Sequence, residues 1–268
     1  MKRVLVIYSG GMDSYTLLHH VMLNNPKAEV KVLSFNYNQR HKKELEYAKM
    51  VCDKLPVLHI VFDMPGMGAF LNGSSLTSDI AVPEGHYAAD NMKLTVVPGR
   101  NTIMLSIAMG IAEAWARQTD DKVDVYYGAH SGDHTIYPDC RPEYFASMKE
   151  TVYFATEDRV ELHAPYMELN KTDILSIGKR LHLDYSETWS CYAGLDVPCG
   201  KCGACTERAE AFAANGMEEP TPKPLAVAKP VPKPVVFLTE QPAPKEQVSA
   251  EEKPKKRAKL TKVVKESA

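Results

Sequence analysis

Two stretches of this chain hold residues whose types and spacing suit chemistry. One is Ser9-Gly10-Gly11-Met12-Asp13-Ser14. It follows the apolar run Val4-Leu5-Val6-Ile7-Tyr8 and precedes Tyr15 to Leu23, where apolar positions recur at helical spacing. The flanks predict a buried parallel strand, a tight loop and a helix. Two glycines let a backbone approach a ligand with no Cβ in the way. The N–H groups of a helix's first turn, with the positive end of its dipole behind them, suit an anion. Ser9 and Ser14 add hydroxyls. The stretch therefore reads as a phosphate or pyrophosphate pocket, although Ser, Gly and Asp also build ordinary turns and helix caps. Neither G-x-x-x-x-G-K-[ST] nor G-x-G-x-x-G is present.

The other stretch is Cys191 together with Cys199-Gly200-Lys201-Cys202-Gly203-Ala204-Cys205, four of the six cysteines of the chain. Small residues between the thiols permit the tight turns that aim sulfurs inward. Four thiolates at this spacing suit a tetrahedral metal. Zinc is expected, one per chain, because the ferredoxin-type run needs a further Cys-Pro that is missing. Four protein ligands leave no open position, so this zinc is structural. Cys52 reads as a core residue, and Cys140 falls in a polar loop.

The elements that must position these groups alternate. Glu29 to Phe35 and Pro56 to Phe62 read as strands, with a charged amphipathic helix from about Lys42 to Lys54 between them. Lys122 to Gly128 and Val160 to His163 are further strands; Thr102 to Arg117, Pro142 to Phe154, Lys171 to Leu181 and Cys205 to Ala214 are helices. The alternation predicts an α/β fold, a doubly wound, Rossmann-like parallel sheet with ligands at the carboxyl ends of its strands. Asp63 to Asn91 is long for a plain connection and reads as a lid or substrate loop. The expected organisation is a nucleotide domain over 1–186, a four-cysteine element over 187–216 and a disordered tail over 217–268.

Other candidates sit at the strand ends. Arg100 lies in a Gly-containing turn before a helix, where its planar fork suits phosphate or carboxylate. Asp133, Tyr137, Asp139 and Arg141 share the loop after the fourth strand and have the groups to read the edge of a heterocycle. Lys171 occupies the first turn of its helix, where the dipole disfavours a cation unless an anion is bound.

Composition narrows the class. The 268 residues are 44% hydrophobic and 25% charged, as in a soluble globular protein. No apolar run approaches the roughly 20 residues of a membrane span, and Met1-Lys2-Arg3 runs straight into a strand, with no signal peptide. A cytoplasmic location is expected. The net charge of −2 hides an asymmetry: residues 217–268 carry +4 and nine of the eighteen prolines, and the rest carries −6. The tail resembles a solvated, partly polyproline-II segment, whose basic end, Lys253 to Lys259, is the part suited to nucleic acid or an acidic partner.

Ser9 to Ser14 resembles the SGGxDS signature of the PP-loop ATP pyrophosphatases. Gln39-Arg40-His41, Ser74-Ser75-Leu76-Thr77, Val97-Pro98-Gly99-Arg100-Asn101, Tyr137-Pro138-Asp139-Cys140-Arg141, Lys171-Thr172-Asp173 and the four cysteines follow in order. Together they resemble the 7-cyano-7-deazaguanine synthase (QueC) family from Ser9 to about Ala214. The resemblance implies an ATP-dependent, AMP-forming ligase of queuosine biosynthesis, acting on 7-carboxy-7-deazaguanine and ammonia through an adenylated acid and an adenylated amide. It implies a homodimer and Mg²⁺ with the ATP. Ser9, Gly10, Gly11, Met12, Asp13 and Ser14 would hold the pyrophosphate, Asp13 meeting Mg²⁺. Arg40, Arg100 and Lys171 would supply positive charge, and Asp133, Tyr137, Asp139 and Arg141 would contact the deazapurine.

The chain departs from the family at Asn36-Tyr37-Asn38, where a carboxylate and a glycine are usual. Relatives that stop at the amide use the same adenylation pocket and remain an alternative. A tRNA thiolase is disfavoured by the −6 charge, and a zinc-containing nucleic-acid-binding protein would leave the phosphate loop unexplained.

Overall fold

The computed structural model describes residues 1–64 and 66–225. Five strands, β1 (Arg3–Ile7), β2 (Glu29–Asn36), β3 (Leu58–Asp63), β4 (Val123–Tyr126) and β5 (Val160–His163), form one parallel sheet in the order β3-β2-β1-β4-β5. The order reverses between β1 and β4. In a doubly wound sheet that point opens a crevice beyond the strand ends. The loops after β1 and β4 both empty into it.

Side chains of β1 alternate between faces, as a strand requires. Val4 and Val6 join one core with α1 (Met12–Asn24), α2 (Lys43–Cys52), α6 (Lys171–Arg180) and α7 (Gly203–Ala214). Leu5 joins the other, against α4 (Arg100–Thr119) and α5 (Pro142–Ala155). Each fully buried Val or Leu contributes about 1.5–3 kcal/mol, so both faces are firmly covered. The expected helices and strands are present, with ends shifted by a few residues. The fourth strand is shorter than expected, Val123–Tyr126, because the chain turns at Tyr127–Gly128 into the crevice.

The connection after β3 holds a short helix, α3 (Met67–Phe70), and a 3-10 segment, Asp90–Thr95. Ser74, Ser75 and Leu76 within it are almost completely buried, so this part is anchored in the structure. The four-cysteine element is not a separate body. Ala211 and Phe212 of α7 belong to the same core as β1 and α1. Residues 217–225, expected to be disordered, are instead held: Lys223 N–H donates to Ser186 O at 2.7 Å, and the Tyr47 hydroxyl donates to Lys223 O at 2.6 Å. The remainder of the expected tail, 226–268 with its basic end, lies outside the described residues. Among the described residues no helix is long and apolar enough to cross a membrane.

Candidate active site

The Ser9–Ser14 loop is shaped by a glycine that nothing else can replace. Gly10 has φ +96°, and a Cβ there would stand 2.1 Å from the Glu44 carbonyl oxygen of α2. Its own carbonyl accepts the Trp189 N–H at 3.0 Å, fastening the loop to the segment before the cysteines. Ser14 Oγ lies 3.1 Å from Ser9 Oγ and donates to Gly11 O at 3.1 Å. Gly11 is the N-cap of α1 and offers no side chain to cap it, which leaves the first-turn N–H groups for a ligand. Ser9, Gly11, Asp13 and Ser14 line a cavity of about 220 Å³. Gly10 and Met12 do not line it; the Met12 side chain is in the core, so these two shape the loop from behind.

A chain of buried and part-buried charges borders the loop. Asp13 Oδ2 lies 3.4 Å from Lys171 Nζ and 3.7 Å from His130 Nε2. His130 Nε2 is 3.4 Å from Asp133 Oδ2, and Lys171 Nζ is 2.5 Å from Glu207 Oε2. Burial opposes the charges on Asp13, His130 and Lys171, but their partners outweigh it. Lys171 and His130 hold the Asp13 carboxyl well below the usual range. The Asp133 and Asp13 carboxylates lift His130 to about 9, so the ring is charged at neutral pH. Asp13 and Glu207 hold Lys171 protonated. Asp13 Oδ1, also buried, has no protein partner. A carboxylate oxygen left over beside a phosphate loop fits a hard cation that takes oxygen ligands.

Arg100, at the start of α4, also lines the cavity. Its Nη1 donates to the Tyr37 hydroxyl at 3.3 Å and its Nε to Asn101 Oδ1 at 3.2 Å. Among the described residues no carboxylate pairs with it, and a half-buried cation without a counter-ion favours an anionic ligand. Asn36 donates to Asp63 Oδ1 at 2.8 Å, and Asn38 takes the left-handed φ of +65°. Asparagine tolerates that region better than other side chains, which accounts for its standing where the family pattern has glycine.

Three expected site residues are placed elsewhere. Arg40 does not reach the cavity: its guanidinium donates to the carbonyls of Ser75, Ser78 and Ile80 at 2.9, 2.6 and 3.0 Å, pinning the connection after β3. Asp139 accepts the Asn101 N–H at 3.2 Å and caps α4. Arg141 is exposed and donates to His134 O at 2.9 Å. Tyr137 lines a smaller neighbouring cavity, while Asp133 lines both. Sequence reasoning missed His130 and Glu207. His130 had a signal, since it shares a loop with Asp133. Glu207 had only its helical position two residues after Cys205.

The four sulfurs of Cys191, Cys199, Cys202 and Cys205 come within 4.8 Å of one another and could hold a metal ion. Cys199 Sγ and Cys205 Sγ are 3.9 Å apart, near the about 3.8 Å edge of a tetrahedron with 2.3 Å metal–sulfur bonds. Backbone N–H groups of Ala193 and Cys199 point at Cys191 Sγ, and that of Cys202 at Cys199 Sγ, as suits thiolates. The element also anchors the long connection: Gly85 N–H donates to Lys201 O at 2.9 Å, and Lys201 pairs with Glu84.

A glycine turn feeding a helix at the reversal point of a doubly wound sheet, with a lysine buried beside it, is the arrangement expected of an enzyme of the PP-loop class. Comparison with known proteins sharpens the class. The family model described as "Queuosine biosynthesis protein QueC" matches residues 3–216, and the chain belongs to that family. It is 51% identical over 221 residues to 7-cyano-7-deazaguanine synthase 1 of Colwellia psychrerythraea, covering 82% of this chain and 98% of that protein. It is 53% identical over 217 residues to the 7-cyano-7-deazaguanine synthase of Marinobacter nauticus, covering 81% and 95%. Among solved structures, NMN synthetase from Francisella tularensis overlaps 81% of this chain and 78% of its own, at 16% identity and a loose TM-score of 0.41.

Proposed function

We propose that the chain converts 7-carboxy-7-deazaguanine and ammonia to 7-cyano-7-deazaguanine, splitting ATP to AMP and pyrophosphate. The observation that carries this reading is the uncommitted Asp13 oxygen beside Lys171, at the mouth of the Ser9–Ser14 loop. In this reading the arrangement grips the leaving half of ATP while an acid is activated.

The residues divide the task. Ser9, Gly11 and Ser14, with the first turn of α1, hold the pyrophosphate. Lys171 and charged His130 offset the negative charge that grows on it as the α–β bond breaks. Asp13 would hold Mg²⁺, which would neutralise phosphate charge when bound. Arg100 faces the substrate carboxylate or the α-phosphate, and Asp133 reads the ring N–H groups. Tyr127, Tyr192 and Met104 line the same cavity and keep water from the mixed anhydride. The four cysteines take one structural zinc, and the protein works as a cytoplasmic homodimer.

Incubation with 7-carboxy-7-deazaguanine, ATP, Mg²⁺ and ammonium tests the reading. The expected products are AMP, pyrophosphate and the nitrile. A base heavier by one water, the amide, would show that the reaction stops halfway. ADP and orthophosphate would refute the reading.

A further inference from the structure

Two ionisable side chains in the wall of the large cavity, His41 and Glu44, stand apart from the charge chain around Lys171 and pair with each other. His41 Nε2 lies 3.2 Å from Glu44 Oε1. Gln39 Nε2 donates to the same oxygen at 3.1 Å and to Phe35 O at 3.1 Å, while Gln39 Oε1 accepts the Tyr37 N–H at 3.0 Å. Glu44 is thereby fixed, and it fixes the imidazole. We propose that His41 is the base that takes protons from the attacking ammonia, with Glu44 positioning it. The inference rests on the proposed function for the identity of the substrates.

The pairing decides which nitrogen works. A carboxylate facing Nε2 calls for a hydrogen there, so in the neutral ring the lone pair sits on Nδ1. His41 Nδ1 is buried and has no protein partner, and the residue is 4% exposed. An acceptor left open in a cavity wall, away from bulk water, is what a bound proton donor needs. The Tyr192 ring, its centroid 5.4 Å from that of the imidazole, packs against it. Burial raises the Tyr37 phenol, the Arg100 charge lowers it and the Glu44 charge raises it. The pair therefore lies towards the Arg100 end of the cavity.

Elimination points the same way. The carboxylates of Asp13 and Asp133 are already engaged with His130 and Lys171, which carry their protons. Arg100 stays protonated. The tyrosines of the wall are neutral phenols at neutral pH, and burial raises the Cys140 thiol. An imidazole is the side chain best matched to moving protons near neutral pH.

The reaction needs such a base. The ammonia nitrogen bonds to the carbonyl carbon of the adenylated acid. The bond from that carbon to the AMP oxygen breaks, its electron pair leaving with AMP, and one N–H proton goes to His41 Nδ1. An amide results. Turning amide to nitrile releases two more N–H protons as the second AMP carries off the oxygen, and His41 passes each proton on to water.

Two variants of the full chain test this. His41→Gln keeps the bulk and removes the base. Glu44→Gln keeps the bulk and removes the charge behind it, and serves if the first fails to fold. Two rates are read on each: acid-dependent ATP–pyrophosphate exchange, which needs no ammonia, and amide formation at saturating ammonium. The ratio of amide formation to exchange should fall about 100-fold in His41→Gln and about tenfold in Glu44→Gln, as for loss of general-base catalysis. A merely structural role would lower both rates alike. An unchanged ratio in the variants that fold would overturn the assignment while the proposed function stood. A wild type that shows no exchange with the acid would remove the proposed function, and this assignment with it.

Discussion

Lys171 Nζ lies 2.5 Å from Glu207 Oε2, which ties the first turn of α6 to α7, the helix that begins within the four-cysteine element. The same ammonium lies 3.4 Å from Asp13 of the phosphate loop. A cation at a helix N-terminus, unfavourable by itself, is thus held between two carboxylates from other elements.

Replacing Lys171 by Met should be doubly costly. It strands Glu207 as a buried carboxylate and leaves Asp13 with His130 alone, and breaking a buried pair from one side costs about 3–5 kcal/mol. Denaturant unfolding should show that loss, along with no detectable AMP formation. Glu207→Gln keeps an oxygen for the Lys171 N–H and should cost much less. Equal stability of Lys171→Met and wild type would mean that the pair is not formed in solution.

Arg100→Ala should leave the fold intact and lower kcat/KM about 10²–10³-fold, as for loss of a charged group that acts on the transition state. Arg100→Lys should restore little, because a point charge cannot reproduce the planar fork reaching Tyr37 and Asn101. Near-normal turnover of Arg100→Ala, measured by pyrophosphate release, would remove it from the mechanism.

Metal removal should act at a distance. Cys202→Ser, or a strong chelator, should lower the melting temperature and slow AMP formation together, because the Cys202 sulfur sits in the four-cysteine cluster immediately before α7, and α7 carries Glu207 to Lys171. Metal analysis should find one zinc per chain in the wild type. A chain free of zinc with full thermal stability would contradict a structural metal.

The segment 217–225 gives a pH dependence of known sign. Lys223 Nζ lies 2.8 Å from Asp184 Oδ2 and 2.7 Å from Glu187 Oε1. Hydrogen bonds from Lys223 and from Ser186 lower the Asp184 carboxyl to about 2. A carboxyl depressed in the folded state contributes stability above its unfolded value, about 3.9, and loses it as pH falls through 2. Asp184→Asn should therefore be less stable than wild type at neutral pH, with the gap closing towards pH 2 and narrowing in high salt. A gap unchanged over that range would rule out ion pairing as its source.

Local signals carried much of this protein. The Gly-Gly turn between an apolar run and a periodic helix located the loop that lines the main cavity, because glycine backbone freedom and helix starts act over a few residues. The cysteine spacing located the four-sulfur cluster for the same reason. Alternating strands and helices gave the parallel sheet, since period and turn chemistry are written along the chain. Arg40 and Asp139 looked like ligand groups, yet folding gave Arg40 three backbone carbonyls and Asp139 a helix end. Only packing brought Glu207 to Lys171, 36 residues away, and His130 between Asp13 and Asp133. A side chain's charge is fixed by its identity, whereas its partner, burial and pKa depend on which distant surfaces the hydrophobic cores press together.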